Sequence, residues 1–379
     1  MDEASAALLM GQQQEEEFAA KLTLGSEKDA PHDGGAAFAA YLAARKPQIE
    51  RHLYSSLPQP AEETLAYACA GDLTGYLYEP VARFTAEGGK RTRPALALLG
   101  AEAVGADPMM AISAAAAIEL FQTAALIHDD IADGGTTRRG KPCLHLTEGI
   151  GPAINAGDLA LVSVSDTLLR DTQLDDATLL RVFAEFTYLQ QRTLEGQALD
   201  LCWARDGRWD LSEDDYLAMA TLKTAHYTAA APLAIGAICG KGADDTVEEL
   251  RSFGLEAGLA FQITDDLLNL EPGPAAQDKD WRSDISEGKR TLVAVHALGH
   301  LPAAERAELQ ALLTAQTNDP AQLARAVELM EQAGSLAYAH ARAAELAQRA
   351  CERLYRIELA APARTVLLSM ADFFVNRTL

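Results

Sequence analysis

Residues Ala111–Asp133 read AISAAAAIELFQTAALIHDDIAD, and this stretch determines how the rest of the chain is interpreted. It contains no glycine or proline, it is rich in alanine, and its apolar residues recur at i, i+3, i+4 and i+7. Those apolar residues cover more than one face of a helix, as they do in a helix buried inside a large bundle. The stretch therefore predicts a core α-helix that ends in the aspartates Asp129, Asp130 and Asp133.

Two of these aspartates are four residues apart, so Asp129 and Asp133 lie on one face of the helix and point into the same space. Two convergent carboxylates suit a hard divalent cation. Mg²⁺ in particular binds through one or two carboxylates together with substrate phosphate oxygens. On this segment alone, an acidic helix end that faces solvent is an equally good interpretation.

The rest of the chain from Ala36 to Leu379 has the same helical character. Helical apolar spacing recurs in Leu217–Cys239, Leu250–Leu270 and Leu323–Leu354, with glycine and proline breakers between the segments. No series of alternating strands and no repeat of fixed period is evident. We therefore predict an all-α protein with a single domain over residues 36–379, preceded by an acidic, flexible extension over residues 1–35.

Composition and charge exclude several classes of protein. The 379 residues include 55 acidic and 32 basic side chains, a net charge of −23, which disfavours binding to nucleic acids and to anionic lipid surfaces. The five cysteines are scattered, without the spacing of a disulfide framework or a zinc site. The N-terminus lacks the basic start and apolar core of a signal peptide, and no uncharged apolar run is long enough to span a membrane. We expect a cytoplasmic protein without membrane insertion.

Basic residues are concentrated near the acidic ones. Arg138, Arg139 and Lys141 follow the first aspartates within one loop, and Lys90, Arg91 and Arg93 follow two glycines at 88–89. Arginine pairs with phosphate oxygens in bidentate fashion, and a glycine-rich loop can present backbone N–H groups to the same anion. These loops are therefore predicted to bind a phosphate group, although each of them alone could be a solvated surface turn.

A second acidic helix reads FQITDDLLN over residues 261–269. Asp265 and Asn269 share a face there, so this cluster carries one charge less than a pair of aspartates. Lys289 follows in a later loop, and Lys279 lies just before it.

Together these residues resemble the trans-isoprenyl diphosphate synthase family, also called polyprenyl synthetases, over about residues 70 to 295. The segments that carry the resemblance are GGKRTRP (88–94), DDIAD (129–133), RRGKP (138–142), INAGD (154–158), GQALDL (196–201), KT (223–224), FQITDD (261–266) and DISEGKRT (284–291). The resemblance implies the isoprenoid synthase fold, a large helical bundle around a central apolar cavity, and usually a homodimer.

The family's functional residues then fall on positions of this chain. The resemblance implies that Asp129 and Asp133 bind Mg²⁺ bridging the allylic diphosphate, and that Asp265 binds a further Mg²⁺ from the opposite wall, with three ions in each active site. The residues assigned to the allylic diphosphate are Arg138, Lys223, Thr224, Gln262 and Lys289, of which Lys223, Thr224 and Gln262 are the expected catalytic residues. The residues assigned to isopentenyl diphosphate are Lys90, Arg93, Gln122 and Arg139.

This chain departs from the family pattern at two places. Asn269 replaces the third aspartate of the second motif, and Arg282 stands where the family usually has a glycine before the aspartate. Because the first aspartate of that motif carries most of the metal contact in the family, activity is expected to survive. Whether Lys279 binds diphosphate is left open.

The implied reaction is ionisation of the allylic diphosphate, condensation with isopentenyl diphosphate and loss of a proton. It needs cations to neutralise the leaving diphosphate but no nucleophilic side chain. One alternative is a class I terpene cyclase, which the GGKRTRP segment and the second aspartate pair disfavour. Another is a catalytically silent partner subunit, which only Asn269 favours.

The product length is predicted from the helix before the first motif, along which the product tail grows in this family. Ala125 and Ala124, four and five residues before Asp129, are too small to stop a chain at the farnesyl length. Phe121 lies one turn deeper, about 5.4 Å along the helix axis and close to the reach of one isoprene unit. We therefore predict geranylgeranyl diphosphate, with twenty carbons. If Phe121 instead faces the core, the tunnel stays open for longer products.

Overall fold

The computed structural model describes residues 33–271 and 282–376, and these residues fold almost entirely into helices, which confirms the all-α prediction. The longer α-helices are α1 (Ala36–Ser55), α2 (Glu79–Ala86), α3 (Thr92–Ala103), α4 (Ile112–Ala132), α5 (Ile150–Leu169), α6 (Asp176–Arg205), α7 (Glu213–Ala220), α8 (Ala231–Cys239), α9 (Asp244–Leu270), α10 (Leu292–His300), α11 (Ala303–Thr314), α12 (Pro320–Gln332), α13 (Ser335–Leu354) and α14 (Ala361–Asn376).

Shorter elements connect these helices. The one-turn α-helices are Glu62–Leu65, Ala70–Leu73, Leu144–Thr147 and Ser283–Ser286, the 3₁₀-helix is Pro108–Ala111, and the π-helices are Thr74–Tyr78 and Thr221–Ala230. Two short strands, Thr137–Arg138 and Lys141–Pro142, form an antiparallel pair in which Arg138 lies opposite Lys141. This hairpin fixes the basic loop next to the end of α4.

Helix α4 lies at the centre of the bundle, where it packs against α1, α3 and α5. Ala115, Ala117, Ile118 and Leu120 are completely buried, so this helix has apolar contacts on several sides, as its sequence predicts. By length and composition Pro108–Ala132 could span a membrane, but 78% of its most apolar window is buried inside the fold. Contacts with neighbouring helices thus account for its apolar sequence.

Close packing of α6 against the π-helix Thr221–Ala230 brings two of the family segments together. A Cβ atom on Gly196 would lie 2.1 Å from the backbone nitrogen of Lys223, so only glycine allows this approach. The π-helix places Lys223 and Thr224 on its cavity side. Such wide turns are frequent at functional sites because they re-aim side chains.

The beginning of the described chain is bound to its end. The backbone nitrogen of Gly34 donates to Asp372 at 2.8 Å, and that of Phe38 donates to Ser369 at 3.0 Å, so α1 pairs with α14. Of the predicted extension over residues 1–35, residues 1–32 lie outside the described part of the chain. The division at residue 36 therefore stays a prediction, although α1 begins there.

Candidate active site

A cavity of about 630 Å³ opens between α4, α6, the π-helix Thr221–Ala230, α9 and the loop before α10. Most of the predicted site residues line it: Arg93, Phe121, Ala124, Ala125, Asp129, Asp133, Arg138, Lys223, Thr224, Gln262, Asp265 and Lys289. Lys90, Gln122 and Arg139 do not line it, and Lys279 lies outside the described residues. The structure thus brings together residues that are up to 196 positions apart, from Arg93 to Lys289.

The first aspartate pair lies at the carboxyl end of α4. Burial and the neighbouring charge of Asp129 raise the pKa of Asp133 to about 6, although Lys289 and Lys223 oppose this rise. The Nε2 amide of Gln197 donates to the Oδ1 atom of Asp129 at 2.8 Å and so fixes that carboxylate. The pair therefore concentrates negative charge that a bound cation would stabilise.

The middle aspartate of the first motif has a different role. Asp130 is buried, and its Oδ1 atom accepts a hydrogen bond from the Nε atom of Arg138 at 2.7 Å. Arg138 still lines the cavity, so Asp130 orients this guanidinium at the cavity wall.

Lys223 is held in a comparable way by Asp200 of the GQALDL segment, with which it forms an ion pair. Burial opposes the charge of Lys223, but the carboxylates of Asp200 and Asp129 outweigh burial and raise its pKa. Both Asp200 and Gln197 line the cavity. Neither residue was assigned a role from the sequence, although the GQALDL segment that contains them was the available signal.

The opposite wall is formed by α9 and the residues after 282. Asp265 lines the cavity, whereas Asp266 is buried and accepts hydrogen bonds from Tyr216 at 2.8 Å and from the Gln262 amide at 2.7 Å. Asp266 therefore orients Gln262 at the wall, and it is itself fixed by Tyr216.

Asp284 is a further carboxylate on this wall; it begins the DISEGKRT segment but was not identified as a site residue from the sequence. Burial raises the pKa of Asp284 to about 6, and Lys289 opposes that rise. The Nζ atom of Lys289 lies 3.7 Å from Asp284 Oδ1 and 3.6 Å from Asp133 Oδ2. Lys289 consequently lies between the acidic groups of the two walls.

In the basic loop at 88–94, the three cations Lys90, Arg91 and Arg93 were expected to face one anion, and the structure differs. Arg91 points inward, is 3% exposed, and forms ion pairs with Glu119 and, at 3.2 Å, with Glu50. These two carboxylates neutralise Arg91, so the expectation that it faces a bound anion is wrong. Arg93 does line the cavity, with its guanidinium 4.0 Å from the centre of the Tyr227 ring and a 3.0 Å hydrogen bond to Thr228.

In the second basic loop, too, only some of the basic side chains lie at the cavity. Lys141 does not lie beside the aspartates as expected, because it is exposed at the surface and pairs with Glu87 at 3.2 Å. Arg139 lies against the glycine loop, where its Nη2 atom is 3.4 Å from the position that a Cβ on Gly89 would take. The two basic loops thus meet at Arg139 and Gly89, beside the cavity wall that carries Arg93.

Phe121, Ala124 and Ala125, from which the product length is predicted, all line the cavity. Phe121 lines the cavity and packs edge to face on Tyr227, with the ring centres 5.9 Å apart, which contradicts the alternative that it faces away. Ala125 is partly exposed towards the cavity, whereas Ala124 is 2% exposed and packs mainly towards α5. Tyr227 was not identified from the sequence, since only the fold brings it to Phe121.

Comparison with known proteins identifies the family to which the chain is similar. The polyprenyl synthetase family model matches residues 74–330. A short chain isoprenyl diphosphate synthase from Methanothermobacter thermautotrophicus is 40% identical over 290 residues, which cover 76% of this chain and 87% of that protein. Relatives at lower identity are named geranylgeranyl, geranylfarnesyl and farnesyl diphosphate synthases.

The fold is also similar to solved structures of prenyl diphosphate synthases. A geranylgeranyl pyrophosphate synthetase from Pyrococcus horikoshii matches with a TM-score of 0.78 and 30% identity, covering 90% of this chain and 98% of that one. A geranylgeranyl pyrophosphate synthase from Corynebacterium glutamicum, complexed with isoprenyl diphosphate and magnesium, matches with a TM-score of 0.76 and 27% identity, covering 87% and 97%. The chain therefore belongs to the polyprenyl synthetase family and is a trans-prenyltransferase.

Proposed function

We propose that this prenyltransferase condenses isopentenyl diphosphate with an allylic diphosphate, depends on Mg²⁺, and releases geranylgeranyl diphosphate. The observation that carries the proposal is the position of Phe121 on the cavity wall, eight residues before Asp129 on the same helix. Eight residues span about 12 Å of helix, and the small side chains of Ala124 and Ala125 leave the first part of that length open.

The acidic groups of the cavity fit Mg²⁺. They are carboxylate oxygens, which hard cations prefer, and they face one another from two walls through Asp129, Asp133 and Asp265. Among the residues described, no group of three or more His, Cys, Asp or Glu side chains could hold a metal ion by itself. We assign three ions to the site, as the family pattern implies, with substrate and water supplying the remaining ligands. When bound, Mg²⁺ would neutralise the leaving diphosphate.

The basic side chains around these carboxylates would hold the allylic diphosphate. Arg138 and Lys223 are each aligned by one buried aspartate, Asp130 and Asp200, and keep N–H groups on the cavity side. Thr224, Gln262 and Lys289 complete the set that we assign to this diphosphate, and Lys90, Arg93, Gln122 and Arg139 form the set that we assign to isopentenyl diphosphate. Fixed cations of this kind stabilise charge that develops on a leaving group.

The apolar part of the cavity would take the hydrocarbon tail. Below the charged end its lining includes Ala125, Leu161, Leu194 and the Phe121–Tyr227 pair. Such walls exclude water from the allylic cation that the reaction generates, which prevents its hydrolysis.

A second copy of the chain is proposed to cover the outer faces of α5 and α6. Within the described residues these faces carry exposed apolar side chains at Ile150, Ile154, Val162 and Leu180. Large exposed apolar side chains, where they lie together on a surface, are typical of protein interfaces. We expect sedimentation to show a dimer, and we expect Val162→Lys to weaken it.

The decisive experiment incubates the purified chain with Mg²⁺, isopentenyl diphosphate and an allylic primer, and identifies the product by chromatography. We expect a twenty-carbon product and loss of turnover when Mg²⁺ is chelated. A cyclised hydrocarbon would favour a terpene cyclase, and a stable chain without any activity would favour a silent partner subunit.

A further inference from the structure

The two positions at which this chain departs from the family pattern are in contact with each other. Asn269 is the next-to-last residue of α9, and its backbone oxygen accepts a hydrogen bond from the backbone nitrogen of Arg282 at 3.0 Å. Arg282 adopts a φ of 64°, the left-handed conformation that glycine reaches without strain and other residues rarely adopt. The chain therefore keeps a backbone shape suited to glycine while it carries arginine there.

The side chain of Asn269 makes two further hydrogen bonds to the same segment. Its Oδ1 atom accepts from the backbone nitrogen of Asp284 at 3.2 Å, and its Nδ2 atom donates to the Ser283 hydroxyl at 3.1 Å. An amide can do both because it carries a donor and an acceptor, whereas an ionised aspartate can only accept. Both ends of the amide are thus engaged by residues 283 and 284.

The segment that Asn269 holds carries the charged groups of the second wall. The backbone nitrogen of Lys289 donates to the backbone oxygen of Asp284 at 2.8 Å, so the position of Lys289 depends on that of Asp284. The Lys289 ammonium in turn lies 3.6 Å from Asp133 on the first wall. A shift of residues 282–284 would therefore displace Asp284 and Lys289 relative to Asp133.

We propose that Asn269 is a positioning residue, which holds residues 282–284 against α9 and thereby fixes Asp284 and Lys289 at the diphosphate end of the cavity. This role rests on the proposed function, because Asp284 and Lys289 matter for catalysis only if the cavity binds an allylic diphosphate. It explains how the chain accommodates both departures: the amide at 269 holds residues 283 and 284, which directly follow the strained backbone at 282.

The test measures hydrogen–deuterium exchange of peptides covering residues 282–291 in the metal-free protein, together with steady-state kinetics. Asn269→Ala removes both side-chain hydrogen bonds and introduces a residue that favours the helix, and we expect exchange to become about tenfold faster. We expect kcat to fall by about tenfold and KM for the allylic diphosphate to rise, because misplaced binding groups reduce productive orientation. KM for isopentenyl diphosphate, whose proposed ligands lie elsewhere, stays unchanged.

Three further variants separate this role from a direct contact with metal. Asn269→Asp keeps the acceptor for Asp284, and the Ser283 hydroxyl can donate to it, so exchange stays close to that of wild type. Arg282→Gly relieves the left-handed strain, and adding it to Asn269→Ala slows exchange again and restores part of kcat. Asn318→Asp makes the same charge change in an exposed turn and leaves both readouts unchanged.

Two results would overturn the proposal. One is unchanged exchange in metal-free Asn269→Ala, and the other is a kinetic loss that Arg282→Gly does not reduce at all. The exchange experiment needs neither metal nor turnover. If the wild-type chain formed no prenyl product, the proposed function would fail while the positioning of residues 282–284 would still be decided.

Discussion

Replacing Phe121 with alanine is expected to lengthen the product by one isoprene unit, from twenty to twenty-five carbons. The next residues towards the start of α4 on the same side are Ile118 and Ala117, which are completely buried below the Phe121 ring. Removing the ring therefore opens about one further helical turn, or about 5.4 Å, before the chain meets the core. Tyr227 remains and limits the gain to a single unit.

Phe121→Ala is also expected to lower the stability of the protein, because the ring packs partly in the core. A Phe→Ala substitution in a core lowers the free energy of unfolding by about 3–5 kcal/mol. Phe121 already borders the cavity on one side, so we expect a loss near the lower limit, about 3 kcal/mol, including its edge-to-face contact with Tyr227. Urea denaturation measures this loss, and Phe121→Leu, which keeps most of the bulk, serves as the matched control with a twenty-carbon product.

The complementary change fills the tunnel instead of opening it. Ala125→Phe places a ring one turn nearer to Asp129, where the side chain is partly exposed to the cavity, and we expect a fifteen-carbon product. Ala124→Tyr is also expected to shorten the product, but Ala124 packs towards α5, so it should be less stable than Ala125→Phe. Chromatography of the dephosphorylated products distinguishes these lengths. A wild-type product of thirty carbons or more, or an unchanged product length in all of these variants, would refute the proposal that Phe121 limits the product length.

Asp129→Ala and Asp133→Ala are each expected to abolish turnover with an unchanged circular dichroism spectrum; near-normal activity in either variant would contradict the metal assignment. The pKa of Asp133 is raised to about 6, above that of an unfolded aspartate, so its contribution to the stability of the metal-free protein is fully present below about pH 4 and is lost as pH rises through 6. The difference in unfolding free energy between wild type and Asp133→Asn, followed from pH 4 to 7, measures this loss, and a constant difference would disprove it. Arg91→Ala leaves Glu119 buried without its partner and should cost about 3–5 kcal/mol, whereas Lys141→Ala, at an exposed pair, should cost about 0–1 kcal/mol. Equal losses in the two variants by urea denaturation would show that Arg91 is not the structural residue that its burial indicates.

The features that could be predicted from sequence are those that depend on neighbouring residues along one helix. The apolar pattern of Ala111–Asp133 is enough to predict a core helix, and the spacing of Asp129 and Asp133 is enough to put them on one face. The same period of 3.6 residues puts Phe121 about two turns before Asp129 along the helix. Helical geometry repeats at every turn, so these relationships need no knowledge of what packs against the helix.

The direction of side chains in loops could not be predicted in this way. Arg91 and Arg93 are two residues apart in one basic segment, yet Arg91 is paired inside the core and Arg93 lines the cavity. The difference depends on Glu119 and Glu50, which come from other helices and attract Arg91 inward. Composition alone assigns the same charge to both arginines.

The sequence by itself determined the all-α fold, the aspartate pair at the end of α4 and the row of small residues above Phe121. Only the tertiary structure decided that Lys289 lies near both Asp284 and Asp133, that Tyr227 packs on Phe121 at the cavity wall, and that Asn269 bonds to Ser283 and Asp284. The physical reason is that the first set depends on backbone geometry within one helix, whereas the second depends on contacts between segments far apart in the chain. Such contacts form only when burial of the whole bundle fixes how its helices pack.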